Sequence, residues 1–253
     1  MNDLFIGGGG MSGIMFVGIL EYLHENKLLD IKNFYGTSIG SLIGVLYISG
    51  IKPIDIIKKI ISIEFSQVFK YNISNILKYH IIEENCLDNF LNISLDSLEE
   101  NITIKEFSEK FNVNINIYVT KINTSEHINF NNIDYPDIKI KDALKASMCI
   151  PFLFKPVIIN EEEYVDGCCK NIYGSPKEDI EINGYSIIAG FEDNPNFIIK
   201  VLKSIFNTKK PNCKNIIYCK ASTETYGSLN KIEEYQILEM YKKGLYTAKE
   251  YFS

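Results

Sequence analysis

The sequence predicts an α/β fold, a three-layer αβα sandwich around a mostly parallel or mixed central sheet. Three observations carry this. Strand-like runs alternate with helical periodicities along the whole chain; one helical run is apolar on every side and belongs in a core; no linker, repeat or composition break divides the 253 residues. Strands joined through helices give a sheet covered on both faces. The expectation is one domain over residues 1–253, with the polar, weakly periodic stretch at about 65–110 as a candidate cap or lid insertion.

The elements follow in order. Leu4 to Ile6 reads as a short strand that runs directly into four glycines. From Gly13 to Asn26 the spacing of Ile14, Val17, Ile19, Leu20 and Leu23 is helical. IKNFYG is a second strand, and SLIGVLYISG is the wholly apolar helix, ending near Gly50. Pro53 opens an amphipathic helix through Phe69 with Ile54, Ile57, Ile61, Phe65 and Val68 on one face. NVNINIYVT alternates strictly, Val113, Ile115, Ile117 and Val119 against Asn112, Asn114 and Asn116, as a strand does. IKDALKASMCI is a short helix stopped by Pro151, and VIINEEEYVDG a hairpin turning within residues 160–163. GYSIIAGF and KNIIYCKAS are strands, with the amphipathic helix NFIIKVLKSIF between them. The last helix spans Ile232 to Phe252 and carries Leu238, Tyr241, Leu245, Ala248 and Phe252 at spacings of three and four.

Composition narrows the function. A net charge of −6 argues against nucleic acid as the main partner. The six cysteines (Cys86, Cys149, Cys168, Cys169, Cys213 and Cys219) include no CxxC pair, so neither a disulfide framework nor a structural zinc site is expected. MNDLFIGGGG holds no basic or long apolar leader, and no run is long enough to span a bilayer. These features point to an intracellular, reduced protein.

Two glycine signals compete. Gly8, Gly10 and Gly13 satisfy the dinucleotide pattern G-x-G-x-x-G, which also needs an acid at the end of the second strand. Asp30 has the right separation but precedes that strand. The strand ends instead in Gly36-Thr37-Ser38-Ile39-Gly40, a G-x-S-x-G at a strand-to-helix junction, where a tight turn would present the serine hydroxyl. An ordinary Ser/Gly helix start has the same pattern. A nucleophilic serine needs a base and oxyanion donors. The glycine loop can supply amides at a helix N-terminus. His24, His80 and His127 lack the context of a triad member and read as surface residues, so the residues alone leave the base open.

Taken together, these stretches resemble the patatin-like acyl hydrolases of the phospholipase A type, over most of the chain and in the family's order. GGGMSG, Gly8 to Gly13, is similar to the family's oxyanion loop, and a GIL follows one turn later. GTSIG matches the nucleophile motif. ASMCIPFLFKP, Ala146 to Pro156, is similar to the block Ala-Ser-x-x-x-Pro-x-x-Phe-x-Pro, and YVDGCCKN falls where the family has Asp-Gly-Gly/Ala. The resemblance implies a patatin-like fold with a nucleophile elbow and a Ser–Asp dyad: Ser38 as nucleophile and Asp166 as base, without an imidazole. It assigns Gly8, Gly9, Gly10, Met11, Ser12 and Gly13 to the oxyanion loop, Gly36 and Gly40 to the elbow, and Gly167 and Cys168 to the base motif.

It further implies hydrolysis of fatty-acyl esters of phospholipids or lysophospholipids at a membrane surface, with no metal or other cofactor. Two departures stand out. Ser12 occupies a position where the family usually has Arg or Lys, and Cys168 replaces a Gly or Ala. Ser12 supports an alternative, a catalytically weak or inactive lipid-binding or regulatory protein on the same fold; a Rossmann-like nucleotide binder is the third reading. Membrane access would use apolar surface within residues 54–110 or the helix NFIIKVLKSIFNTKK with Lys200, Lys203, Lys209 and Lys210. A sheet-covering helix has that same pattern and is the preferred reading of it.

Overall fold

The computed structural model of the protein describes residues 2–177, 179–190, 208–220 and 232–253. Its strands are β1 (Asp3–Ile6), β2 (Asn33–Thr37), β3 (Asn114–Lys121), β4 (Glu126–Asn131), β5 (Val157–Ile159), β6 (Glu162–Asp166), β7 (Glu181–Gly190) and β8 (Asn212–Lys220). The α-helices are α1 (Gly13–Glu25), α2 (Ile39–Ile48), α3 (Pro53–Ile61), α4 (Phe65–Val68), α5 (Cys86–Ser94), α6 (Ile104–Phe111), α7 (Ile140–Ser147) and α8 (Glu234–Phe252).

All four residues of β1 are buried, as a central strand covered on both faces requires. It pairs in parallel with β2 and β7; β8 continues in parallel beyond β7, and β3 beyond β2. The architecture is therefore mixed α/β, a central sheet flanked by helices. Among the described strands, the antiparallel pairs are β3 with β4, β3 with β6, and β5 with β6. β4 opposes residues 116–121 of β3 along one edge, and β6 opposes residues 119–121 along the other, beyond the point where β2 ends. β5 and β6 form the expected hairpin. Its turn residues Asn160 and Glu161 both have positive φ, 50° and 64°, which lets a two-residue loop follow the strand twist.

Helix α2 packs on β1 and β2, α7 on β3, β5 and β6, and α8 on β8. The sheet face beneath α2 and α7 is apolar: Phe34, Ile115, Ile117, Val119 and Phe130 are fully buried. The opposite face of β1, β2 and β3 carries a polar chain, in which Asn33 donates to Asp3 at 2.8 Å and Asn114 donates to Asn33 at 2.9 Å. This explains the alternation of asparagine with isoleucine along β3.

Four expectations are revised. The helix from Pro53 stops at Ile61, and after Ser62–Glu64 a separate short helix, α4, begins. The break re-aims Phe65 and Phe69 inward, and Ile54, expected on the buried face, is 38% exposed while Ile56 and Ile57 are buried. Strand β4 was not anticipated, because EHINFN mixes polar and apolar positions. His80 is 1% exposed, and His127 is half-buried with its Nε2 shut off from solvent, so neither is a surface residue. In α8 the deepest residues are Ile237, Met240, Gly244 and Ala248, a face rotated from the expected one. The rotation follows from close helix crossing: a Cβ on Gly18 would strike the Tyr241 carbonyl oxygen, and one on Gly244 the Met15 carbonyl oxygen. The helix read over NFIIKVLKSIF lies outside the described residues.

Candidate active site

The edge of β3 brings the two chemically interesting residues together. β2 ends with Thr37 opposite Tyr118, and β6, running the other way, ends with Asp166 opposite Val119. The C-termini of β2 and β6 thus meet head to head on adjacent positions of one strand. Ser38 follows Thr37 directly, so residues 128 positions apart become neighbours. Asp166 shares the apolar face of its partner Val119, because residues directly opposite in an antiparallel pair point the same way.

Ser38 is the turn itself. Its φ of 54° and ψ of −133° are strained for any residue with a Cβ. The flanking glycines do not carry the positive φ; they provide room. A Cβ on Gly36 would lie 2.6 Å from the Ser41 Cα, and one on Gly40 would meet the carbonyl oxygens of Ile6 and Gly7. The turn is pinned from both sides. The Ser38 N–H donates to the Ser147 hydroxyl at 2.8 Å, Ser147 donates to the Tyr118 carbonyl at 2.7 Å, and the Ser41 hydroxyl donates to the Ser38 carbonyl at 2.6 Å. Ser147, fully buried at the end of α7, was not singled out from the sequence, although it lies inside the ASMCIP block.

Asp166 is 4% exposed. Burial pushes its carboxyl up to about 6, while the facing Ser38 hydroxyl and the Cys168 N–H, donating at 2.8 Å, pull it back toward the ionised form. Gly167 lets the chain pass closely: a Cβ there would lie 2.6 Å from the Tyr118 carbonyl oxygen and 2.8 Å from the Thr37 methyl. Cys168 is accommodated because Gly8 has no side chain; a Cβ on Gly8 would collide with the Cys168 sulfur. Burial and the neighbouring Asp166 raise the Cys168 thiol well above its ordinary value, which keeps it unreactive.

The glycine loop passes over this pair. A Cβ on Gly8 would also stand 3.4 Å from the Ser38 Cβ. Beyond it the chain rises to the surface at Gly10, whose φ is +51°, and turns into the short 3-10 helix Gly10–Ser12 that opens α1 at Gly13. Among the described residues the N–H groups of Gly9, Gly10 and Met11 have no acceptor, whereas the Ser12 N–H is used by the Gly9 carbonyl at 2.9 Å. Ser12 is fully buried, and its hydroxyl finds no partner among the described residues.

A narrow apolar cleft leads to Ser38. Gly10, Met11, Ile14 and Ile43 line it, and Phe65, Phe69, Phe90 and Phe154 form an aromatic wall. Phe69 centres that aromatic wall, its ring 5.4 Å from Phe90 and 6.1 Å from Phe154. This wall was not read from the sequence, since its members come from α4, α5 and the block after α7. The histidines stand elsewhere: His24 pairs with the Tyr47 hydroxyl, His80 with the Ile82 carbonyl, and His127 lies on β4, its pKa pushed down to about 4 by burial. Asp30 sits exposed beside Lys32, before β2 begins. Among the described residues no group of His, Cys, Asp and Glu gathers as metal ligands, and no helix is long and apolar enough to cross a membrane.

The family model of the patatin-like phospholipases matches residues 4–171, from β1 through the Asp166 turn. The chain belongs to the patatin-like phospholipase family. Its relatives include the probable lipid hydrolase 463L of Invertebrate iridescent virus 6, 28% identical over 174 residues, covering 66% of this chain and 59% of that protein. The uncharacterized protein R571 of Acanthamoeba polyphaga mimivirus is 26% identical over 178 residues, covering 66% and 58%. The chain therefore spans less than two thirds of the length of these relatives. Among solved structures, VipD from Legionella pneumophila superposes with a TM-score of 0.62 at 14% identity, covering 99% of this chain and 66% of VipD. The type III effector ExoU of Pseudomonas aeruginosa gives 0.52 at 16%, covering 98% and 52%. At these identities the likeness is one of fold. The patatin-like chain shares the sheet and its flanking helices with two bacterial proteins while sharing few residues.

Proposed function

We propose that this patatin-like chain is a serine acyl hydrolase that cleaves fatty-acyl esters of phospholipids or lysophospholipids through a Ser38–Asp166 dyad. The observation that carries the proposal is a strained serine facing a buried carboxylate at the base of an apolar cleft. Ser38 Oγ attacks the ester carbonyl carbon and its proton passes to Asp166. A carboxylate near 6 is about two units more basic than an exposed aspartate and is still ionised at neutral pH. The free N–H groups of Gly9 and Gly10 are the donors for the tetrahedral oxyanion; one such donor is worth about 10²–10³ in rate. The protonated Asp166 then gives its proton to the leaving alcohol. In the second half, Asp166 takes a proton from the water that attacks the acyl-serine, and returns it to Ser38 Oγ as the acyl–oxygen bond breaks and the fatty acid leaves. The aromatic wall holds the acyl chain.

Ser38→Ala and Asp166→Asn are each expected to abolish hydrolysis of a short-chain p-nitrophenyl ester, and a fluorophosphonate is expected to label wild type at Ser38. Full turnover in either variant would overturn the dyad. One observation favours a second reading, a lipid-binding protein with little turnover: the family's basic residue is replaced by Ser12, whose unpartnered hydroxyl brings no charge to the loop. An unlabelled Ser38 in wild type would favour it.

A further inference from the structure

The 3-10 helix Ile73–Lys78 buries none of its six residues, although three of them are Ile73, Ile76 and Leu77. Side chains three apart eclipse one another in such a helix, so Ile73 and Ile76 line up along one side; Tyr79 follows in the left-handed turn that ends the helix, and Leu77 is the remaining apolar residue of the group. They are 78%, 59%, 77% and 87% exposed, respectively. The surface does not end with the helix. The chain from Tyr71 to Ile82 folds back on itself, and the Ile81 and Ile82 N–H groups donate to the carbonyls of Phe152 and Leu153 at 3.1 and 2.9 Å. This fixes Phe152, 72% exposed and with a φ of 65°, beside Tyr79. Phe154, two residues on, lines both the groove under Tyr79 and Phe152 and the cleft that leads to Ser38.

We propose that the surface formed by Ile73, Ile76, Leu77, Tyr79 and Phe152 is the face by which the protein enters an anionic lipid bilayer, with the acyl cleft opening beside it. Exposed apolar side chains gathered in one place mark an interaction surface, since they add nothing to the core. The charge around them selects the occupant. From residue 65 to residue 82 the chain carries Lys70 and Lys78 and no acid, within a protein of net charge −6; Glu64, Glu83 and Glu84 stand at the margins of this stretch, Glu84 paired with Lys155. Cations flanking an apolar tip favour headgroups of negative charge while the tip enters the acyl region. Continuity with the cleft through Phe154 gives a lipid chain an unbroken apolar path. The inference rests on the lipid-ester reading for its biological sense, but the binding it asserts is independent of turnover.

The test uses the full chain with Ser38→Ala, so that vesicles stay intact, and phosphatidylcholine vesicles with and without phosphatidylserine. Ile73→Glu with Leu77→Glu is expected to weaken cosedimentation at least about tenfold, and Lys70→Glu with Lys78→Glu to abolish the preference for phosphatidylserine. In the Ser38 background the Ile73→Glu/Leu77→Glu protein should still hydrolyse a soluble p-nitrophenyl ester at the wild-type rate. Unchanged cosedimentation of the double glutamate variant would overturn the proposal. So would a wild-type dimer that ignores vesicles and is dissociated by those glutamates, for the face would then cover a second copy. Loss of vesicle binding in a protein whose wild type cleaves no soluble ester would support the docking face and sink the hydrolase reading alone.

Discussion

Ser38 combines two demands that oppose each other: a backbone conformation suited to glycine and a side chain that only serine supplies. Holding a non-glycine residue at φ 54° and ψ −133° costs about 1–3 kcal/mol. The surrounding bonds from Ser147 and Ser41 hold it there. Ser38→Ala keeps the strain and Ser38→Gly releases it, so thermal unfolding should find the glycine variant more stable than the alanine variant by about 1 kcal/mol, with both inactive. An alanine variant of equal or higher stability would mean that the turn is relaxed. The same residue-level view separates the two departures from the family pattern. Cys168 fits because Gly8 leaves room for its sulfur, whereas Ser12 removes a charge and leaves a buried hydroxyl without a partner.

Among the secondary-structure elements, β3 is the organiser. One of its edges is shared by β2 and β6, whose ends deliver Ser38 and Asp166 to neighbouring rungs. The short helix α4 has a comparable role for the cleft, since the break after Ile61 turns Phe65 and Phe69 toward Phe90. The crossing of α1 and α8 depends on Gly18 and Gly244, each pressed on the other helix's backbone. Gly244→Ala would force the helices apart and is expected to cost about 1–3 kcal/mol in chemical denaturation, with the ester hydrolysis of the folded fraction unchanged. A neutral substitution would show that the crossing is looser than described.

For the whole molecule, folding has taken a carboxyl out of water. Asp166 titrates near 6 in the folded protein against 3.8 ordinarily, so the native state holds the extra proton between those values. The contribution of Asp166 to stability therefore falls as pH rises from about 4 to 6 and stays lower above that, the reverse of a salt-bridged aspartate. Asp166→Asn lacks this cost, and its stability relative to wild type should rise by about 3 kcal/mol between pH 4 and pH 7. Wild-type kcat/KM should climb through pH 6 and level off above it; a flat profile from pH 5 to 7 would remove Asp166 as the base. Much of this was legible in one dimension. The glycine loop, GTSIG and the alternating β3 are local patterns, set by backbone sterics and by which side chains avoid water; they marked Ser38 and the glycine loop, whereas Asp166 was marked only through the resemblance to the family's Asp-Gly block. Tertiary structure alone decided what depends on distant contacts: the break after Ile61, the pairing of β4, the rotation of α8, the aromatic wall and the Ser147 bridge. Burial decided the basicity of Asp166, because a carboxyl's pKa is a property of the medium that the rest of the chain builds around it.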